Sequence, residues 1–157
     1  MRAFSRMAAV LPAVLAAGPA LADDLSYHGY ADRREHPFAC QMAYYADKTG
    51  DHPSAITILE DCIAQGNVWS MIWMAMLHEN GQGVPKSLEA SAALMERAAS
   101  MRDPAGYASL ARYHWGMALL EGRGVPRDEA AAAHWLRLAA AEGVPEAAEA
   151  LGAMTAR

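Results

Sequence analysis

The amino-acid sequence predicts an all-α protein, a short stack of antiparallel helix pairs. Three observations carry that prediction. The phrase Gly81-Gln82-Gly83-Val84-Pro85 returns 41 residues later as Gly122-Arg123-Gly124-Val125-Pro126. At the same offset Ala98-Ala99 fall on Ala139-Ala140, Pro104 on Pro145 and Leu110 on Leu151, so the whole unit recurs and not only its loop. From Phe38 onward the apolar residues keep helical spacing between turn signals, with no foothold for strands.

The first residues speak to compartment. Arg2 and Arg6 precede an apolar stretch from Met7 to Ala17, and Ala20-Leu21-Ala22 forms an A-x-A cleavage site. Residues 1–22 therefore read as a signal peptide, with Asp23 as the new N-terminus and the periplasm as the expected location. The stretch is short for a membrane span and is broken by Pro12, Gly18 and Pro19. No cysteine follows the cleavage site to take a lipid, so no membrane insertion is expected after cleavage. Loss of Arg2 and Arg6 takes the formal charge from −5 to −7. A phosphate-binding surface needs a basic stripe, which this acidic chain lacks, so nucleic acid is excluded as a partner. Residues 23–37 are polar without periodicity and are expected to form an irregular lead-in to one helical-repeat domain over 38–157.

Within that domain, residues 38–66 read as a hairpin. Phe38, Met42 and Tyr45 precede the turn Lys48-Thr49-Gly50-Asp51-His52-Pro53, and Ile56, Leu59 and Ile63 follow it at helical spacing. The only two cysteines, Cys40 and Cys62, stand about equally far from the turn. Export favours a Cys40–Cys62 disulfide, the alternative being two buried thiols.

Repeats follow at 70–100 and 104–143, with a partial repeat or cap at 146–157 in which Leu151 turns inward and Glu146 and Glu149 face water. Gly81 and Gly122 stand where a helix must end in a left-handed residue, and with Gly83 and Gly124 they form the structural loops. Ser87 and Asp128 are placed to cap the helices that follow. Asp103-Pro104 predicts another helix start, with Asp103 as N-cap. A phosphate cradle at Gly122-Arg123-Gly124 would need a preceding strand and a third glycine or a Lys-Ser/Thr, and neither is present.

The run Ala111-x-x-x-Trp115-Gly116-x-x-Leu119-x-x-Gly122-x-Gly124-Val125-x-x-Asp128-x-x-Ala131-x-x-x-Trp135-x-x-x-Ala139-Ala140-x-x-Gly143 resembles the Sel-one-like repeat, a relative of the tetratricopeptide repeat. Residues 70–100 are a degraded copy, with Ser70, Met74-Ala75 and His78 at key positions and Leu94 in place of the Trp. A third copy begins at Ala147-x-x-x-Leu151-Gly152. Residues 38–66 are more similar to a tetratricopeptide hairpin through Gly50-Asp51, Ala55, Leu59 and Cys62. The resemblance implies a right-handed α-solenoid, and solenoids of this family commonly serve as adaptors for protein partners.

It also implies where a partner lies. Groove positions of tetratricopeptide-type repeats carry over to Ile72, Met76 and Glu79 in one repeat, Tyr113, Met117 and Leu120 in the next, and Tyr44 in the first hairpin. That surface would be apolar and Met-rich, suited to a helix or peptide of an envelope protein. The plainer reading is that Ile72, Met76 and Met117 pack against neighbouring helices. Self-association through the groove, giving a homo-oligomer, is a further possibility.

Some exported Sel-one-like proteins with cysteine-pinned hairpins are linked to penicillin binding and β-lactam hydrolysis. A cell-wall or β-lactam-directed hydrolase is therefore the alternative function. The residues for it are missing, because no Ser-x-x-Lys, Gly-x-Ser-x-Gly, His-Glu-x-x-His or Cys-x-x-Cys occurs, and the single bridge departs from that subgroup's cysteine pattern. No catalytic residue is assigned. Met71-x-x-Met74-x-Met76-x-His78 has the donors for Cu(I), yet at 100° per residue Met76 points away from the other three, and core methionines explain the run. No metal and no cofactor are expected.

Overall fold

The computed structural model describes residues 27–31 and 38–156 as eight helices, with no strand among the described residues. The proposed signal peptide at 1–22 lies outside them. A four-residue turn, α1 (His28–Ala31), precedes α2 (Ala39–Lys48), α3 (His52–Ala64), α4 (Val68–Asn80), α5 (Leu88–Ala99), α6 (Tyr107–Glu121), α7 (Glu129–Ala141) and α8 (Pro145–Thr155). Each helix packs on the next in sequence, and α4 also touches α6. One side of the stack is thus made by the first helices α2, α4, α6 and α8, and the other by α3, α5 and α7. None of the described helices is long and apolar enough to cross a membrane.

Alanine sets the spacing between helices. Ala43, Ala46, Ala55, Ala75, Ala98, Ala99, Ala111, Ala132, Ala139 and Ala147 are fully buried, so backbones approach closely, and Met71, Met95, Trp115, Leu119 and Leu136 fill the wider gaps. In α2 the buried stripe is Ala39, Ala43 and Ala46. Phe38 and Tyr45, expected on an apolar face from their helical spacing, are both more than half exposed.

The repeated loops form as expected. Gly81 and Gly122 end α4 and α6 in the left-handed conformation, at φ 71° and 72°. The Ser87 hydroxyl accepts from the Ala90 N–H at 3.1 Å and the Asp128 carboxylate from the Ala131 N–H at 2.9 Å, each satisfying an orphan donor of the following helix. Gly124 answers a different constraint. A Cβ there would lie 2.1 Å from the carbonyl oxygen of Leu88, because the loop crosses directly over the start of α5. Its counterpart Gly83 crosses the start of α3, where a Cβ would meet the His52 Cβ at 2.6 Å.

Two boundaries differ from expectation. Asp103 does not open α6. Gly106 takes φ 84°, which interrupts the helix that Pro104 would start, and α6 begins at Tyr107. Asp103 instead accepts from the N–H groups of Ala105 at 3.1 Å and Tyr107 at 2.6 Å. At the equivalent Pro145 no such glycine intervenes, and the proline lies in the first turn of α8. The lead-in is also not wholly irregular: α1 forms inside it, and Tyr27 and Tyr30, one turn apart, pack on the hydrophobic cluster of the first hairpin.

Cys40 and Cys62 are joined, with their Cα atoms 5.9 Å apart. The bond ties α2 to α3 at the ends far from their turn. The turn itself is held by Asp47, whose buried carboxylate accepts from the Gln82 amide at 2.8 Å and meets His52 Nδ1 at 3.0 Å. Gln82 belongs to the next repeat's loop, so the first hairpin is latched to its neighbour.

Candidate functional site

The side made by α2, α4 and α6 carries most of the exposed aromatic surface. Tyr44 of α2 stands edge-on to Trp73 of α4 with ring centroids 5.2 Å apart, and Trp73 stacks on Trp69, one turn earlier, at 5.9 Å and nearly parallel. Tyr45 meets Tyr44 edge-on at 5.4 Å. The Lys48 ammonium lies 5.6 Å from the Tyr44 ring and 5.2 Å from the Trp73 ring, a cation shared by two aromatic faces. From α6, Tyr107 and Leu110 add their exposed side chains.

Between these helices runs a cleft of about 280 Å³, walled by Gln41, Tyr44, Tyr45, Asn67, Trp69 and Tyr107, with Cys40 at its side. A second cleft of about 380 Å³ adjoins it. The two share Cys40, Asn67, Trp69 and Tyr107, and the second continues to Arg102 and Pro104. Each is near the lower end of the size range for binding pockets.

The residues assigned to a groove from the repeat register are scattered by the structure. Tyr44 borders the cleft and Met76 is exposed on the same helix as Trp69 and Trp73. Ile72 is corrected: only 5% exposed, it lies in the central core with Ala108 and Ala111, where α4 touches α6. Glu79 is drawn into an ion pair with Arg123 across the inter-repeat boundary. Leu120 packs partly buried on the central core. Tyr113 and Met117 are half-buried against the cluster around Leu136 and Ala147, together with Leu151 and Met154 of the terminal helix. The register missed Trp69, Trp73 and Tyr107. A signal existed for two of them, since Trp69 and Trp73 stand four residues apart and share a helical face.

The inter-repeat boundary is the other concentration of polar groups. Arg123 pairs with Glu79 and, at 2.7 Å, with Glu121, beside His114. Burial lowers the His114 pKa below its ordinary 6.5, and the nearby Arg123 charge lowers it further against the opposing pull of Glu79 and Glu146. The cavity there is only about 20 Å³, room for about one water and no substrate. No group of three metal-ligating side chains occurs among the described residues. Met71 and Met74 are buried while Met76 is exposed, so the methionine run does not converge on one point.

With this geometry in view, residues 70–103 and 109–144 each match the family model of the Sel1 repeat. Two Sel1 repeats thus occupy residues 70–103 and 109–144. Sel1 repeats are generally protein–protein interaction modules, and their fold is typically a non-enzymatic scaffold. The crystal structure of a Sel1 repeat protein from Oxalobacter formigenes is similar at 24% identity and TM-score 0.65, over 74% of this chain and 46% of that one. The crystal structure of c5321, a protective antigen present in uropathogenic Escherichia coli strains that displays an SLR fold, is similar at 23% identity and TM-score 0.64, over 78% of this chain and 27% of that one. The chain thus spans about half of the first protein's length and about a quarter of the second's, and at these identities the likeness concerns the fold alone. No curated protein matches the sequence.

Proposed function

We propose that this Sel1 chain is a periplasmic adaptor that docks a protein of the cell envelope on the face made by α2, α4 and α6. The observation that carries the reading is the aromatic surface of Tyr44, Tyr45, Trp69, Trp73 and Tyr107, gathered from three successive first helices of a chain whose interior is built largely of alanine. Tyrosine and tryptophan supply large rigid contact area and dominate interface energies. The periplasmic location is supported by the leader-like sequence at 1–22 and by the Cys40–Cys62 bond, which an oxidising compartment sustains.

Cross-linking of the tagged chain in intact cells, followed by fractionation and capture, tests both parts. Tyr45→Ala with Tyr107→Ala should abolish capture while leaving the fold intact, since neither side chain belongs to the buried core. Arg137→Ala and Glu96→Ala, exposed on the second helices, should leave capture unchanged. Capture lost with the second pair and kept with the first would place the partner on the other side. Recovery of the chain in the cytoplasm with its leader uncleaved would refute the location.

A further inference from the structure

The clefts beside Trp69 hold hydrogen-bond donors and positive charge that bear on which partner fits. The Trp69 indole N–H is a donor only and has no partner among the described residues. Asn67 uses its side-chain oxygen on the Ser70 N–H at 2.8 Å, which leaves its amide NH₂ as the group on offer. The hydroxyls of Tyr44, Tyr45 and Tyr107 are engaged by nothing else described. No carboxylate lines the first cleft, and in the second both oxygens of Asp103 already accept from the backbone. Two cations with no carboxylate partner among the described residues flank the trough, Lys48 beside Tyr44 and Arg102 in the adjoining cleft, although acidic residues outnumber basic ones in the chain.

A ligand suited to this trough therefore brings ring-sized apolar groups, free acceptors and negative charge. We infer that the trough binds an extended, proline-rich segment of a partner protein carrying acidic residues at its ends. This rests on the docking face proposed above and adds the chemistry of what docks there. A polyproline II segment has no internal hydrogen bonds, so its carbonyls are free to accept, and each proline lacks an N–H. Aromatic-lined grooves are the usual receptors for such segments. A helical partner fits less well, because its carbonyls are already bonded within the helix and would leave the donors of Trp69 and Asn67 without acceptors. A neutral glycan brings no charge to meet Lys48 and Arg102.

The test uses the full chain and a fluorescein-labelled twelve-residue peptide of proline pairs with glutamate at both ends, about 37 Å long at 3.1 Å per residue. Anisotropy should rise saturably and tryptophan emission should change. Replacing the prolines by alanine, or the glutamates by lysine, should weaken binding by about tenfold or more, the scale of one good contact or charge reversal. Tyr107→Ser should weaken the glutamate peptide, with the helical circular dichroism unchanged. Lys48→Glu should weaken it too and improve the lysine peptide, a reversal that loss of fold cannot produce. Equal binding of the alanine and proline peptides, saturable binding of chito-oligosaccharide in its place, or no binding of the proline peptide at millimolar concentration would each overturn the inference. If a captured envelope partner maps to Tyr45 and Tyr107 through a helical segment, the ligand chemistry falls while the docking face stands.

Discussion

Replacing Gly124 by alanine separates two demands that the repeated loop makes on its glycines. Gly122 and Gly124 have nearly the same backbone, at φ 72° and 70°. A side chain at either position carries the left-handed strain of roughly 1–2 kcal/mol. At Gly122 that is the whole cost, because the nearest atom to an added Cβ, the Cβ of Arg127, lies at an ordinary 3.5 Å. At Gly124 the added Cβ would stand 2.1 Å from the Leu88 oxygen, 2.3 Å from its carbonyl carbon and 2.7 Å from the Glu89 nitrogen. Those are backbone atoms at the start of α5 and cannot swing aside. The loop must retreat by about 1 Å to reach a normal carbon–oxygen contact, and Val125, which packs on the central core, moves with it. Overpacking of this kind adds roughly 1–3 kcal/mol. Gly124→Ala should therefore cost about 2–5 kcal/mol against about 1–2 for Gly122→Ala, and depress the melting temperature by about 2–4 °C for each kcal/mol. Thermal unfolding followed at 222 nm measures both. Gly143→Ala, with φ 93° and open space around the new Cβ, is a second strain-only control. Equal depressions for all three variants would refute the close approach of the loop to α5.

Two further predictions concern the first hairpin and the inter-repeat boundary. Peptide mapping of the native protein should recover Cys40 joined to Cys62 with no alkylatable thiol, and the Cys40→Ala, Cys62→Ala pair should lose about 3 kcal/mol, the loop-closure value for a bridge of this span; an unchanged urea midpoint would count against it. His114 resists protonation in the folded chain while the unfolded chain takes up its proton near 6.5, so stability should fall as the pH drops below that value towards the lowered folded pKa. His114→Gln should flatten this decline in urea midpoints between pH 7.5 and 5, and an identical slope in the variant would refute the assignment.

The loops were legible because a left-handed residue and a backbone crossing each admit only glycine, so Gly81, Gly83, Gly122 and Gly124 leave a mark in the sequence that geometry cannot blur. Ser87 and Asp128 were legible for a similar reason, since a cap is read from side-chain chemistry next to its helix. Asp103-Pro104 misled because the deciding residue was Gly106, whose positive φ nothing at Asp103 announces. In α2 the large residues drew attention, yet a helix held close to its neighbour buries Ala39, Ala43 and Ala46 and leaves Phe38 and Tyr45 outside. The binding face was the least legible part. Register positions describe an average repeat, whereas the exposure of Ile72 or Trp69 depends on how α2 and α6 are set against α4, which is a property of the stack. Tyr107 belongs to a stretch with no counterpart in the repeat pattern, being the residue that follows the Gly106 break.

The aromatic trough takes one wall from each of three successive units, and this has an evolutionary consequence. Insertion or deletion of a 41-residue unit would preserve every alanine contact inside the units while replacing one wall of the trough with another. Chains of this kind can change length at little cost to folding, and each such event would rewrite what they recognise. Ligand preference would then diverge among relatives faster than architecture does, and a partner found for one of them would be a poor guide to the partner of the next.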